Sequence, residues 1–136
     1  MPERIFTPDE ANSALAEVRP AAERLVELRA RMRELEREQG RHVTTIGGNG
    51  AGYAATDLNV AQAELHRLAG ETAACVERLE ALGVVLKDLD LGLLDFPSRR
   101  DGSDVLLCWH VGEDGVGWWH ALDEGYAGRK PVDWGE

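Results

Sequence analysis

A cysteine and two histidines lie close together near the end of the chain, in LLCWHVGEDGVGWWHALDEG. Thiolate sulfur and imidazole nitrogen are ligands that zinc and iron prefer in proteins. We therefore identify Cys108, His110 and His120 as candidate metal ligands. A fourth ligand could come from Glu113 or from an aspartate of KDLDLGLLDF (Asp88, Asp90 or Asp95). An open fourth position would make such a site catalytic, and a closed one would make it structural.

The predicted metal site depends on the geometry of one β-hairpin. Glu113-Asp114-Gly115 predicts a three-residue loop whose glycine adopts the left-handed conformation. In that register His110 lies opposite Trp118, and Cys108 lies opposite His120. Since side chains alternate along a strand, these four would share one face. The intervening residues would then pack on the helices (Val105, Leu107, Trp109 and Val111).

A second loop geometry leads to a different interpretation of the same residues. A two-residue loop at Asp114-Gly115 would shift the pairing by one residue and move His120 to the opposite face. The cluster would then be a small aromatic core with hydrogen-bonded histidines, without a metal.

A third interpretation is a metal-free pocket for a small ligand. Asp88, Asp90 and Asp95 would form an acidic rim, and Arg129 would be their basic counterpart, in an ion pair with Asp95 or Asp88. Asp95, His120 and Arg129 could together transfer a proton beside an anionic group. Tryptophans would line this cleft (Trp118 and Trp119).

The elements that position these residues begin with a long helix over residues 7–39. Thr7-Pro8-Asp9-Glu10 is a capping box, and apolar residues follow at helical spacing. Pro20 is expected to kink this helix or to restart it.

Glycine-rich residues 40–55 predict a loop, and residues 56–83 predict a second helix that ends at Gly83. The two apolar seams are coiled-coil-like and indicate an antiparallel helical hairpin. Cys75 lies in the second seam as a core residue. A two-helix hairpin buries little surface, so we expect a homodimer through it. A dimeric interaction or scaffold protein without a metal is therefore an alternative function.

After Gly83 the apolar period changes from that of a helix to that of a strand. Residues 84–136 predict a small antiparallel β-meander that carries the candidate site. The whole chain, residues 1–136, is thus predicted to be a single α+β domain.

Composition excludes several classes of function. The net charge is −10 at pH 7, and such a surface repels the phosphates of nucleic acids. The apolar runs are too short to cross a bilayer, and the N-terminus has no signal-peptide pattern. We expect a cytoplasmic, bacterial-type protein without nucleic-acid or membrane partners.

Four segments together resemble an uncharacterised bacterial family, domain of unknown function 2203. They are FTPDEANSALAEVRP, LKDLDLGLLDFP, LLCWHVGE and WWHALDEGYAGRKPV, in this order. The resemblance implies a helical hairpin followed by a small sheet region, and it implies no established activity. Members of the family have other residues at the position of His110, so the resemblance favours Cys108, His120 and a carboxylate as the ligands. Its signature residues correspond here to Asp88, Gly92, Asp95, Cys108, Trp109, Gly112, Glu113, Trp119, His120, Gly125, Gly128 and Arg129.

Overall fold

The structure, a computed structural model, describes residues 4–49 and 55–135. Two long helices precede a five-stranded antiparallel sheet, which confirms the α+β prediction. The elements are α1 (Pro8–Asn49), α2 (Ala55–Ala81), β1 (Val85–Asp88), β2 (Leu93–Arg100), β3 (Ser103–His110), β4 (Trp118–Ala121) and β5 (Lys130–Pro131). A single 3₁₀ turn, Tyr126–Gly128, lies between the last two strands. Within the described residues, no helix is long and apolar enough to span a membrane.

Helix α1 begins at the predicted capping box. The Glu10 backbone N–H donates to the Thr7 hydroxyl (3.0 Å), and the Thr7 N–H donates to the Glu10 carboxylate (2.9 Å). These two bonds satisfy donors that the first helical turn leaves free. The predicted restart at Pro20 is wrong, because one helix continues through that residue.

The predicted end of the first helix at residue 39 is also wrong. Residues 40–49, assigned from their glycines to the loop 40–55, continue α1 as far as Asn49. A glycine costs about 1 kcal/mol relative to alanine inside a helix. Extending an existing helix is far easier than starting one, so these glycines need not end it. Residues 50–54 of the predicted loop lie outside the described residues.

The two helices pack against each other in antiparallel orientation. Leu28 and Leu35 of α1 form a buried cluster with Leu68 of α2. Ion pairs at 2.9 and 3.3 Å link the helices at two further levels (Arg24–Glu71 and Glu17–Arg78). The second helix ends at Ala81, two residues before the predicted end, and Gly83 adopts the positive φ (96°) of a helix-terminating glycine.

The sheet is a meander in which each strand pairs with the next in sequence. Strands β2 and β3 pair along their whole length, and Asp101 and Gly102 form the turn with positive φ. Strand β2 continues through Pro97 as far as Arg100. Pro97 lies beyond the end of β1, where its missing N–H removes no ladder bond and its carbonyl accepts from the Phe6 N–H (2.7 Å).

The helices cover one face of the sheet. Leu94, Phe96, Leu107 and Trp109 are fully buried there in one core with residues of α1. This confirms the prediction for Leu107 and Trp109 of β3. Because side chains alternate, Asp95 of β2 and the residues flanking Leu107 point to the opposite face, here called the outer face.

Candidate metal centre

Asp95, Cys108 and His120 meet on the outer face of the sheet. One ligand atom from each lies within 4.8 Å of the other two, and the three side chains are 1%, 1% and 3% exposed. Asp95 lies directly opposite Cys108 in the β2–β3 ladder. His120 lies opposite Leu106, which places it diagonally across from Cys108. We call these three residues the Asp-Cys-His trio.

The register that unites the trio differs from the predicted one. Cys108 pairs with Trp118, not with His120, because the chain between β3 and β4 is longer than a three-residue loop. The pairing is displaced by two residues, and an even displacement keeps every side chain on its face. The predicted sharing of a face by Cys108 and His120 therefore holds, although the predicted turn is wrong.

Contacts with α1 explain the longer loop. Arg19 donates to the backbone carbonyls of Glu113 (2.9 Å) and Asp114 (2.6 Å). Asn12 accepts from the Val116 N–H (2.8 Å) and donates to its carbonyl (3.1 Å). These bonds satisfy backbone groups that a tight hairpin would pair across the strands.

His120 is oriented by a backbone carbonyl. Its Nδ1 lies 2.8 Å from the Ala121 oxygen, which can only accept, so Nδ1 carries a proton. Its Nε2 lies 3.2 Å from Oδ1 of Asp95. Without a proton or another cation between them, these two atoms would place a lone pair against a carboxylate oxygen. The pair therefore shares one proton between Nε2 and Oδ1.

Asp95 is the least satisfied member of the trio. Its Oδ2 is buried and accepts no hydrogen bond. The Lys87 ammonium lies 4.0 Å from this oxygen, on a half-exposed side chain. Burial raises the pKa of Asp95, and the positive charge of His120 opposes that rise. An unpaired buried carboxylate oxygen is costly unless a proton or a metal neutralises it.

Cys108 contributes a buried sulfur beside a guanidinium. Burial raises the pKa of the Cys108 thiol, and a hydrogen bond from Arg129 opposes the rise. The Arg129 Nη1 lies 3.8 Å from the sulfur. The thiol is thus protonated near neutral pH, and a metal would have to displace that proton.

Arg129 is held rigidly, but not by the predicted partners. It makes two ion-pair bonds to the Glu113 carboxylate (2.6 and 3.2 Å), and neither Asp95 nor Asp88 accepts from it. Its guanidinium also lies over the rings of Trp118 (4.8 Å) and Tyr126 (4.3 Å). Its contact with Cys108 was not predicted, because the tail returns to the sheet through the short strand β5, which was not predicted either.

His110 and Glu113 do not join the trio. The Nδ1 of His110 donates to the Val111 carbonyl (2.8 Å), and its Nε2 lies 3.5 Å from the Tyr126 hydroxyl. Glu113 accepts from the His110 backbone N–H (3.0 Å) as well as from Arg129. These two predicted ligands therefore form a neighbouring network.

The remaining predicted pocket residues lie apart from the trio. Asp88 accepts from two backbone N–H groups of its own turn (Asp90 and Leu91). Asp90 pairs with two arginines of α1, Arg29 (3.1 Å) and Arg33 (2.6 Å). Trp119 contacts the ring of Trp134 (5.8 Å). The predicted acidic rim is thus divided between a turn and a helix contact.

A cleft of about 150 Å³ opens onto the trio from the outer face. Its other lining residues are Lys87, Leu93, Glu124, Gly125 and Tyr126, of which only Gly125 was singled out from the sequence, as a signature residue of the family. Lys87 lies at an irregularity in the pairing of β1 with β2, and no sequence pattern predicts that irregularity. The segment after β4 brings the last three residues to the cleft.

Comparisons with known proteins give one result. No curated protein and no solved structure matches this chain. A family model described as an uncharacterized conserved protein, DUF2203, matches residues 4–132. That range includes both helices, all five strands and all three residues of the trio. The chain therefore belongs to the DUF2203 family, as its sequence motifs predicted.

Proposed function

We propose that this protein binds a zinc or iron ion through Asp95, Cys108 and His120. The observation that carries this proposal is the buried trio, whose ligand atoms lie within 4.8 Å of one another. Once a metal has displaced the thiol proton, a carboxylate and a thiolate are buried together and need positive charge nearby. One divalent cation would balance both and would satisfy the unpartnered Oδ2 of Asp95.

The donor set favours a transition metal over magnesium or calcium. Sulfur and imidazole nitrogen suit zinc and iron, whereas magnesium and calcium prefer oxygen ligands. The neighbouring groups fit this interpretation. A histidine ligand commonly donates its second ring N–H to a carbonyl, as His120 does to Ala121. Arg129 likewise steadies the sulfur ligand.

The site has the form of a catalytic centre more than that of a structural one. The protein offers three ligands, because Glu113 and His110 are engaged in their own network. Three-ligand sites leave a position for water or substrate, and the cleft leads to the trio. A metal bound there would supply Lewis-acid chemistry, which favours a metalloenzyme.

Elemental analysis of the purified protein tests this proposal. The protein is prepared without a histidine tag or a chelator, and the metal content is compared with that of Cys108→Ser and His120→Asn. Cys75→Ser is the matched control, because Cys75 is a free thiol in the helical hairpin. We expect close to one equivalent of zinc or iron in the native protein and the control, and little in the other two variants. Absence of a transition metal, with no uptake on titration with zinc or with iron(II) under argon, refutes the proposal.

The homodimer through the helical hairpin remains a separate prediction. Sedimentation at micromolar concentration tests it, and a monomer would contradict it. The metal-free ligand site has less support, because the guanidinium it requires is already paired with Glu113.

A further inference from the structure

A second depression lies beside the trio on the outer face. This groove of about 380 Å³ is lined mainly by apolar side chains, among them Val85, Pro97, Leu106 and Leu122. Val85 is 42% exposed and Leu122 is 61% exposed, so both present apolar surface to solvent beside the groove. A volume of this size lies within the range of small-molecule sites.

The sheet register joins this groove to the metal centre. Val85 lies opposite Asp95, and Leu106 lies opposite His120. Leu122 follows His120 by two positions along the chain. Each of these apolar residues is therefore a direct neighbour of a proposed ligand, and a guest of the metal could extend into the groove.

Charge in the cleft favours an anionic guest. The half-exposed Lys87 ammonium reaches Asp95 only at 4.0 Å, so it can turn towards a guest. Two acidic residues that line the cleft and the groove are already in ion pairs: Glu124 with Lys130 (2.5 Å), and Asp104 with Arg99 (3.0 Å). Once a divalent metal balances the charges of Asp95 and Cys108, Lys87 is the one of these charged side chains that lacks a counter-charge.

We infer that the guest of this site is a small organic carboxylate with an apolar body. Its carboxylate would occupy the open position of the metal beside Lys87, and its hydrocarbon part would lie on Val85, Leu106 and Leu122. This inference rests on the metal site proposed above. It assigns a substrate class to that site and involves no covalent step.

A chain-length series tests this assignment. Binding of butanoate, hexanoate and octanoate to the zinc-loaded native protein is measured by calorimetry, after the zinc content has been determined. We expect the affinity to rise about two- to fourfold for each added methylene, since the open groove buries each methylene only in part. Hexanol and hexylamine, which lack the carboxylate, should bind at least tenfold more weakly than hexanoate.

Surface variants distinguish how the hydrocarbon part and the carboxylate of the guest each contribute to the affinity. Leu122→Ser should abolish the dependence on chain length, and Lys87→Gln should weaken all carboxylates about two- to fivefold alike. Val60→Ser is the matched control, because Val60 is an equally exposed apolar residue (64%) on α2. It should leave every affinity unchanged.

The outcomes distinguish this inference from the proposed function. Failure to take up either zinc or iron(II) refutes both together. Zinc loading with an affinity that does not change with chain length, or with alcohols bound as tightly as carboxylates, overturns the inference alone. A dimer that Leu122→Ser converts to monomer, with no octanoate bound, would show that a second copy covers the groove and would also overturn it.

Discussion

Metal binding to the trio should release two protons, and this count follows from the geometry. One proton is that of the Cys108 thiol, whose pKa burial raises. The other is shared between Asp95 and His120, whose facing atoms lie 3.2 Å apart. A metal that binds all three residues must displace both protons. The affinity should therefore rise about 100-fold for each pH unit near neutrality, tenfold for each proton.

Two substitutions should each reduce this slope to about tenfold per pH unit. In Asp95→Asn the amide N–H₂ can donate to His120 Nε2, so no shared proton remains to be displaced. In Cys108→Ser the hydroxyl keeps its proton or leaves the coordination shell. Cys75→Ser should keep the full slope, because Cys75 lies between the helices.

A competition titration against a chromophoric chelator measures this slope. Cobalt(II) or zinc is titrated at several pH values, with correction for protonation of the chelator. Thiolate coordination of cobalt would also appear as a charge-transfer absorption that Cys108→Ser removes. A slope that is the same in the native protein and both variants would refute the reasoning, since binding at surface carboxylates would behave that way.

Three further predictions concern the stability of the metal-free protein, measured by urea unfolding. The raised pKa of Asp95 means that the folded state holds its proton more tightly than the unfolded state. The contribution of this proton to the free energy of unfolding is therefore complete below about pH 4, and it is lost as the pH rises through the folded-state pKa of Asp95. Over that pH range the free energy of unfolding of Asp95→Asn should fall less than that of the native protein. Arg129→Lys removes a largely buried bidentate ion pair and should cost about 1.5–3 kcal/mol, whereas Arg99→Lys, in an exposed pair, should cost less than about 1 kcal/mol. Gly92→Ala should cost about 2–4 kcal/mol, because φ is +64° and the new Cβ would lie 2.5 Å from a valine methyl; Gly102→Ala meets only the strain of its positive φ and should cost about 1 kcal/mol. Equal costs within either pair of variants, or identical pH profiles for Asp95→Asn and the native protein, would contradict the corresponding account.

The sequence predicts the face of the sheet on which a side chain lies better than it predicts the register of the strands. Alternation along β3 and β4 placed Cys108 and His120 on one face, and that placement survives an error of two residues in the pairing. An error of one residue would have separated them. The parity of the strand positions therefore carried the prediction of the site.

The local signals that the sequence contains by itself are strong and short-ranged. The capping box at Thr7 starts α1, Gly83 ends the second helix, and the change of apolar period after it starts the sheet. Each depends on residues within a few positions of one another. Such features can be predicted from one sequence because neighbouring backbone groups satisfy each other's hydrogen bonds.

Only the tertiary structure decided which distant side chains meet. Asp95 became the third member of the trio because β2 pairs with β3 in a particular register, and Arg129 reached Glu113 because β5 returns along β4. Neither contact has a signal in residue spacing. Both follow from burial of the inward face of the sheet against α1, a collective packing effect in which every strand takes part.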